Sequence, residues 1–180
     1  MAANNNPQAL RMIDAITEVA GDEAAAEFTR SLSLSKSADF EKKFEWAKGV
    51  CEYLDEKFDS DCIMRIRQRC FCNDGKSAAD RMKKYIKKTD SIKEFTELFN
   101  KSEKYGWLEY ISEHRILMCY PECYCSCVKR VDEKLSRTWC LCTVGYAKNL
   151  FGQVFDKEIR AELIESVKTG ADRCAVSIEW

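Results

Sequence analysis

The chain reads as an α/β protein of the α+β type. A helical N-terminal half is followed by a mostly antiparallel sheet whose elements run strand, strand, helix, strand, strand. Three observations predict this. Up to about residue 106, apolar residues recur at helical spacing between polar breaks. From about Trp107 the period changes, and stretches rich in Cys, Tyr and β-branched residues take over. With 180 residues, 46% hydrophobic and 11% aromatic, the chain is long and apolar enough to bury a proper core. The expected organisation is a helical half over residues 1–106 packed on the sheet, then a Cys-rich α/β region over residues 107–180, within one compact domain.

Asn6 is placed to cap a first helix with Pro7 at its first position, and Ala9, Met12, Ile13, Ile16, Val19 and Ala20 share one face. A polar loop from Ser31 ends on Ser37, a good N-cap, after which Phe40, Phe44, Ala47, Cys51, Leu54 and Phe58 form the next stripe. Ile63, Ile66 and Cys70 predict a short helix that stops at Asn73-Asp74-Gly75. Ser77-x-x-Asp80 and Ser91-x-x-Glu94 have the form of capping boxes, in which hydroxyl and carboxylate each satisfy a free N–H of the first turn. The second of these helices presents Ile92, Phe95, Leu98 and Phe99. Ile116 to Val128 and Thr138 to Val144 are expected as strands joined by the polar run Lys129 to Arg137. A helix from about Gly145 to Phe155 follows. Glu158 to Val167 and Arg173 to Trp180 then make a hairpin, with Cys174, Val176, Ile178 and Trp180 on one face.

Lys and Arg number 29 against 30 Asp and Glu, so no global field draws the chain to nucleic acid or to an anionic membrane. The basic cluster Arg81, Lys83, Lys84, Lys87 and Lys88 reads as the solvated face of a helix whose other side is Met82, Tyr85 and Ile86. No segment approaches the roughly 20 apolar residues that span a bilayer. The start, Met1 to Gln8, is polar and lacks the apolar core of a secretion signal. A cytoplasmic location is expected, without nucleic-acid or membrane partners. Thiols stay reduced there. Eleven cysteines, several only one residue apart, fit disulfide bridges poorly. Metal ligation, redox chemistry and plain burial remain.

The informative stretch is Cys119-Tyr-Pro-Glu-Cys123-Tyr-Cys125-Ser-Cys127, followed by Trp139-Cys140-Leu-Cys142. Residues two apart on a strand share a face. Cys123, Cys125 and Cys127 therefore project together, as do Cys140 and Cys142, and a hairpin would bring up to five sulfurs together. Crowded thiolates repel, and a bound cation relieves the repulsion. Zinc takes four thiolates at roughly 2.3 Å, and an iron–sulfur cluster uses the same ligands. Cys70-x-Cys72 is a weaker pair, and Cys51 sits mid-stripe as core. His114 is the single histidine, which excludes a His-rich catalytic metal site and a Ser-His-Asp triad with a spare partner. A pairing with Cys119 would place the two on opposite faces of a strand. No Walker loop, dinucleotide glycine fingerprint or nucleophile elbow is present. No catalytic set stands out, and an enzyme is not the leading expectation.

The run from Cys140-Leu-Cys-Thr-Val-Gly145-Tyr146 through Leu150-Phe151 and Phe155, then Lys157-Glu158-Ile159, Glu165, Gly170, Asp172-Arg173-Cys174 and Val176, resembles the 4-vinyl reductase-like domain over about Trp139 to Trp180. That superfamily includes hydrocarbon-binding regulators and is related to haem-based nitric-oxide sensors and Golgi transport-particle subunits. The resemblance implies an antiparallel α/β domain, a pocket for a small apolar molecule, and a homodimer through the helical side. In its zinc-bearing members, Cys140 and Cys174 would match two ligand positions, while Leu163 and Ser166 stand where Glu and Cys are expected. The remaining ligands would come from Cys119, Cys123, Cys125, Cys127 or Cys142. Trp107, Tyr110, Tyr146, Phe151 and Phe155 are the candidate pocket aromatics, with core packing as their plainer role. The expected function is a small-molecule-binding sensor or accessory protein with a zinc thiolate site. A metal- or thiol-dependent hydrolase or reductase and an iron–sulfur redox protein are the alternatives.

Overall fold

The computed structural model describes residues 4–180; residues 1–3 of the polar start lie outside the described residues. Six helices come first: α1 (Pro7–Ala20), α2 (Asp22–Ser31), α3 (Phe40–Lys57), α4 (Ser60–Arg67), α5 (Lys76–Ile86) and α6 (Ile92–Ser102). Strands β1 (Trp107–Ser112) and β2 (Arg115–Tyr120) follow, then α7 (Arg137–Cys140) and α8 (Cys142–Phe155). Strand β3 (Arg160–Glu165), a single 3₁₀ turn and β4 (Cys174–Glu179) end the chain. The mixed class and the order strand, strand, helix, strand, strand are as expected, but the first two strands begin earlier. Among the described residues, no helix is long and apolar enough to cross a membrane.

Local chemistry sets most of the helix starts. Asn6 accepts from Gln8 N at 3.0 Å, Asp59 from Cys62 N at 2.8 Å and Ser91 from Glu94 N at 3.2 Å. Asp39, two residues beyond the expected Ser37, caps α3 through Lys42 N at 2.8 Å. Gly75, at φ 70°, starts α5, so Ser77 lies inside the first turn and is not its cap. Gly21 at φ 92° separates α1 from α2, a conformation that costs glycine little. Asp22 and Glu23 then sit in the first turn of α2, where the helix dipole favours negative charge.

The chain divides into two compact units: α1 to α4 with residues 124–142, and residues 73–123 with 143–180. In the first, α1 packs on α2 and α4, and α7 packs on α3 and α4. Its core holds Met12, Ile16, Phe28, Phe44, Leu54 and Ile66, all essentially inaccessible. In the second, four antiparallel strands are ordered β1-β2-β4-β3. Leu108, Met118, Val176 and Leu163 stand in register across the sheet and are buried. The aromatic core of this unit runs from Phe95 to Phe155 at 6.3 Å, and Phe155 stacks on Trp180 at 3.9 Å. Helix α6 reaches β1 through Asn100, whose side chain donates to Leu108 O at 2.8 Å and accepts from Leu108 N at 2.7 Å. Gly106 lies so close to β2 that a Cβ there would stand 2.4 Å from Cys119 O.

Two expected strands are corrected. The segment Ile116 to Val128 is strand only to Tyr120, because Pro121 cannot donate to a ladder. Thr138 to Val144 lies in two helices that meet at a turn on Leu141. Ser136 caps α7 by accepting from Thr138 N at 3.3 Å. Asp55 on α3 takes both the Ser136 hydroxyl at 2.9 Å and the Thr138 hydroxyl at 2.5 Å. That contact overrides the β preference of Thr, Trp and Cys. Replacing Ser91 by Ala is expected to lower stability by about 1 kcal/mol, while Ser77→Ala changes it by less than about 0.5 kcal/mol. Urea denaturation monitored by circular dichroism checks this; equal losses would make Ser77 a cap after all.

Candidate functional site

The arrangement with the most chemical potential lies inside the first unit and is built around Arg67. This residue ends α4 and is only 2% exposed. Its Nε donates to Thr138 O at 3.1 Å and its Nη2 to Trp139 O. The guanidinium lies 4.7 Å from the Trp139 ring, within cation–π range. Helix α7 has only four residues, so these carbonyls belong to a helix end with few partners of its own, and Arg67 satisfies them. The groups that face its charge are sulfurs. Burial pushes its pKa down, but Cys142, Cys70, Cys51 and Cys125, once ionised at high pH, outweigh that and leave it above the ordinary value. Burial in turn drives Cys51 and Cys142 up to about 12 and raises Cys70. At neutral pH these three are therefore neutral thiols. The buried cation faces a set of sulfurs of which most carry no charge.

The same residues enclose a hollow. Gln8 and Met12 from α1, Trp46 from α3, Arg67, Cys70 and Cys72 after it, and Cys125, Trp139 and Cys142 line a cavity of about 20 Å³. A space of that size holds a water molecule or something comparably small. Trp46 and Trp139 meet edge to face at 5.9 Å, each 4% exposed, and neither indole N–H has an acceptor. Arg11 Nε, one turn of α1 from Gln8, is buried without one as well. An unmatched buried donor is costly, on the order of 1–3 kcal/mol. Two residues of the lining, Trp46 and Trp139, thus carry buried donors without an acceptor.

Gln8 organises its sulfur-lined side. Its Nε2 donates to Cys72 Sγ at 3.5 Å and to Ser126 Oγ at 3.2 Å, and its Oε1 accepts from the Cys127 thiol. Burial drives that thiol to about 12, and Cys125 and Cys72 stand near enough to raise it further. Cys72 is exposed and Cys125 half-buried, whereas Cys70 and Cys127 are buried. Of the four sulfurs on this side, the ones open to small reagents are Cys72 and Cys125.

The seven cysteines expected as metal ligands fall in both units. Cys125, Cys127, Cys140 and Cys142 belong to the first unit, and Cys119, Cys123 and Cys174 to the second. Cys140 and Cys142 lie two apart on helical backbone, about 200° around the axis, and so diverge instead of sharing a strand face. Cys140 stands near Cys51, while Cys142 lines the hollow. Cys119 is fully buried on β2, its thiol driven to about 12 by burial and by Glu109. Cys174 accepts from Val167 N at 3.4 Å. Among the described residues, no group of three or more His, Cys, Asp or Glu side chains is arranged to hold a metal ion. The zinc thiolate site and its iron–sulfur alternative are corrected accordingly.

The five candidate pocket aromatics all belong to the second unit. Phe151 is inaccessible and stacks with Phe155 at 5.8 Å, and Phe155 also covers Trp180. Tyr146 packs where a Cβ on Gly75 would stand, at 3.4 Å. Tyr110 is 38% exposed and donates to Glu113 at 2.9 Å. Trp107 borders a cavity of about 10 Å³ and donates to Glu109 at 2.9 Å. His114 is exposed, edge to face with Trp180 at 6.4 Å. The residues that the sequence reading passed over are Gln8, Trp46, Arg67 and Trp139.

The raised thiols make stability depend on pH. With a folded pKa of about 12 against an ordinary 9.0, Cys51 keeps its proton where the unfolded chain has released it. Its contribution is complete below about pH 9 and is lost as pH climbs toward 12. Between pH 9.5 and 11, Cys51→Ala is expected to flatten the fall of stability with pH by up to about 1.4 kcal/mol per pH unit. Urea titrations at a series of pH values check this, and parallel slopes for variant and parent would refute it.

No curated protein matches the chain. Among solved structures, it is similar to an H-NOX protein from Shewanella oneidensis in the Fe(II)NO ligation state. Identity there is 17% and the TM-score 0.43, with 97% of this chain and 98% of that one covered. An H-NOX domain from the same organism in the Fe(II)CO ligation state gives 17%, 0.43 and 97% of each chain. A Tt H-NOX variant gives 14% and 0.41, with 94% and 90% covered. The resemblance of Trp139 to Trp180 to the 4-vinyl reductase-like domain is corrected by the family comparison, which matches a different family along almost the whole length. The profile matching residues 1–179 is that of the family of unknown function DUF6144, and the chain belongs to that family.

Proposed function

We propose that the chain is a small-molecule-binding sensor or accessory protein, and that its receptor site is the hollow of the first unit that Arg67 and the two indoles line. One observation carries this: Arg67, 2% exposed, faces thiols and backbone carbonyls, beside two indole N–H groups without acceptors. A buried cation is tolerated when it is paired and its donors are satisfied. A ligand that brings negative charge or lone pairs supplies what the protein leaves out. The cavity of about 20 Å³ restricts that ligand to a very few heavy atoms. The two unmatched indole N–H groups favour a ligand that carries an acceptor atom.

Azide, cyanide and nitrite are suitable probes, since each combines charge, lone pairs and small size. Binding should change the fluorescence of Trp46 and Trp139 and stabilise the fold by about 2.7 kcal/mol at a hundredfold excess over Kd. Trp46→Phe keeps most of the ring bulk and deletes one donor. It is expected to weaken binding roughly fivefold, the equivalent of about 1 kcal/mol. Arg67→Met should abolish it. Thermal shift and fluorescence titration of the full chain make the test. If none of the three anions moves either signal, the hollow is not a receptor.

A further inference from the structure

We propose that the hollow is a thiol-oxidation site for a small peroxide, with Cys125 as the sulfur oxidised first and Cys72 as the sulfur that resolves it into an intrachain disulfide. This deepens the preceding reading and rests on it: the peroxide is the small acceptor that the hollow admits.

Both sulfurs line the hollow, and both are reachable from solvent, Cys72 fully and Cys125 in part. Gln8 holds the two segments together, bonding Cys72 on one side and Ser126 and Cys127, the next two residues after Cys125, on the other. Cys125 and Arg67 line the same hollow. The Cys125 carbonyl accepts from Val128 N at 3.1 Å and Lys129 N at 3.0 Å, which pins its backbone. Cys72 sits on irregular chain between α4 and α5, so it is the partner that moves. Cys70 and Cys127 are closed off by burial and serve neither role.

The chemistry balances with the peroxide as the only oxidant. The Cys125 thiolate attacks one peroxide oxygen, an S–O bond forms and the O–O bond breaks. The second oxygen leaves as hydroxide and takes up a proton to become water. The sulfur loses two electrons and the peroxide gains them. Arg67 and the unmatched indole donors stabilise the charge that develops on the oxygens. The Cys72 thiolate then attacks Cys125 Sγ, an S–S bond forms, the S–O bond breaks and a second water departs with the Cys72 proton. Two thiols and one hydrogen peroxide become one disulfide and two waters.

The test treats the fully reduced chain with one equivalent of hydrogen peroxide, blocks the remaining thiols and maps linked peptides by mass spectrometry. A loss of two thiols per chain with a Cys72–Cys125 link is expected. Cys72→Ser should leave a sulfenic acid on Cys125 that dimedone traps, and Cys125→Ser should slow thiol loss at least tenfold. Cys62→Ser, outside the hollow, should change neither. A link between other cysteines, unchanged thiols, or oxidation of Cys62 as fast as Cys125 would overturn the proposal. The mapping on the unaltered chain decides this even if a variant fails to fold. Should peroxide fail while azide still binds, the receptor reading stands and only the oxidation is lost. If both fail, the hollow is inert.

Discussion

The guanidinium of Arg67 is anchored to the carbonyls of Thr138 and Trp139, and much of the first unit is arranged around that anchorage. It joins the end of α4 to a stretch that returns some seventy residues later, and it satisfies a helix end too short to satisfy itself. Asp55 meets the same stretch from α3 through two hydroxyls. One cation and one carboxylate thus secure residues 136–139 from two sides, without pairing with each other. The segment that bears Cys140 and Cys142 is helical as a result.

That arrangement has an electrostatic cost that the unit leaves open. A carboxylate in the Arg67 pairing would have closed the charge and left a structural ion pair. The residues placed there are instead thiols, aromatic faces and amides, which can be rearranged or oxidised at modest expense. The unmatched N–H groups of Trp46 and Trp139 point the same way. The second unit behaves differently: Arg173 pairs with both Glu109 and Glu165.

Much of the fold was legible because local signals agreed with tertiary ones. Asn6-Pro7 and Ser91-x-x-Glu94 mark helix starts, and the β-branched Val176 and Ile178 mark a strand, which as a central strand of the sheet is buried on both faces. What failed was the stretch from Pro121 to Val144. Its β-rich composition is outweighed by a proline, by the Ser136 cap and by contacts to Asp55 that sequence cannot display. The β1 strand was hidden for a related reason. Its turn, Glu113-His114, carries neither Gly nor Asn. Part of the candidate site was readable, since Cys70, Cys72, Cys125 and Cys142 stood out by spacing alone. Arg67 also left a mark: with Ile63, Ile66 and Cys70 it completes the i, i+3, i+4, i+7 stripe of a buried face. A charge in that position is a signal of its own.

The bond pair between Asn100 and Leu108 has a consequence for how copies of this chain meet. Strand β1 lies at one margin of the sheet, where open N–H and C=O groups would template another strand. By occupying both groups of Leu108, the Asn100 amide mimics one residue of a neighbouring strand. A second chain adding there would first have to evict it. At the opposite margin, Arg160 and Glu162 on β3 stand exposed, and charge discourages the same kind of growth. The sheet is thereby protected at both margins against edge-to-edge polymerisation.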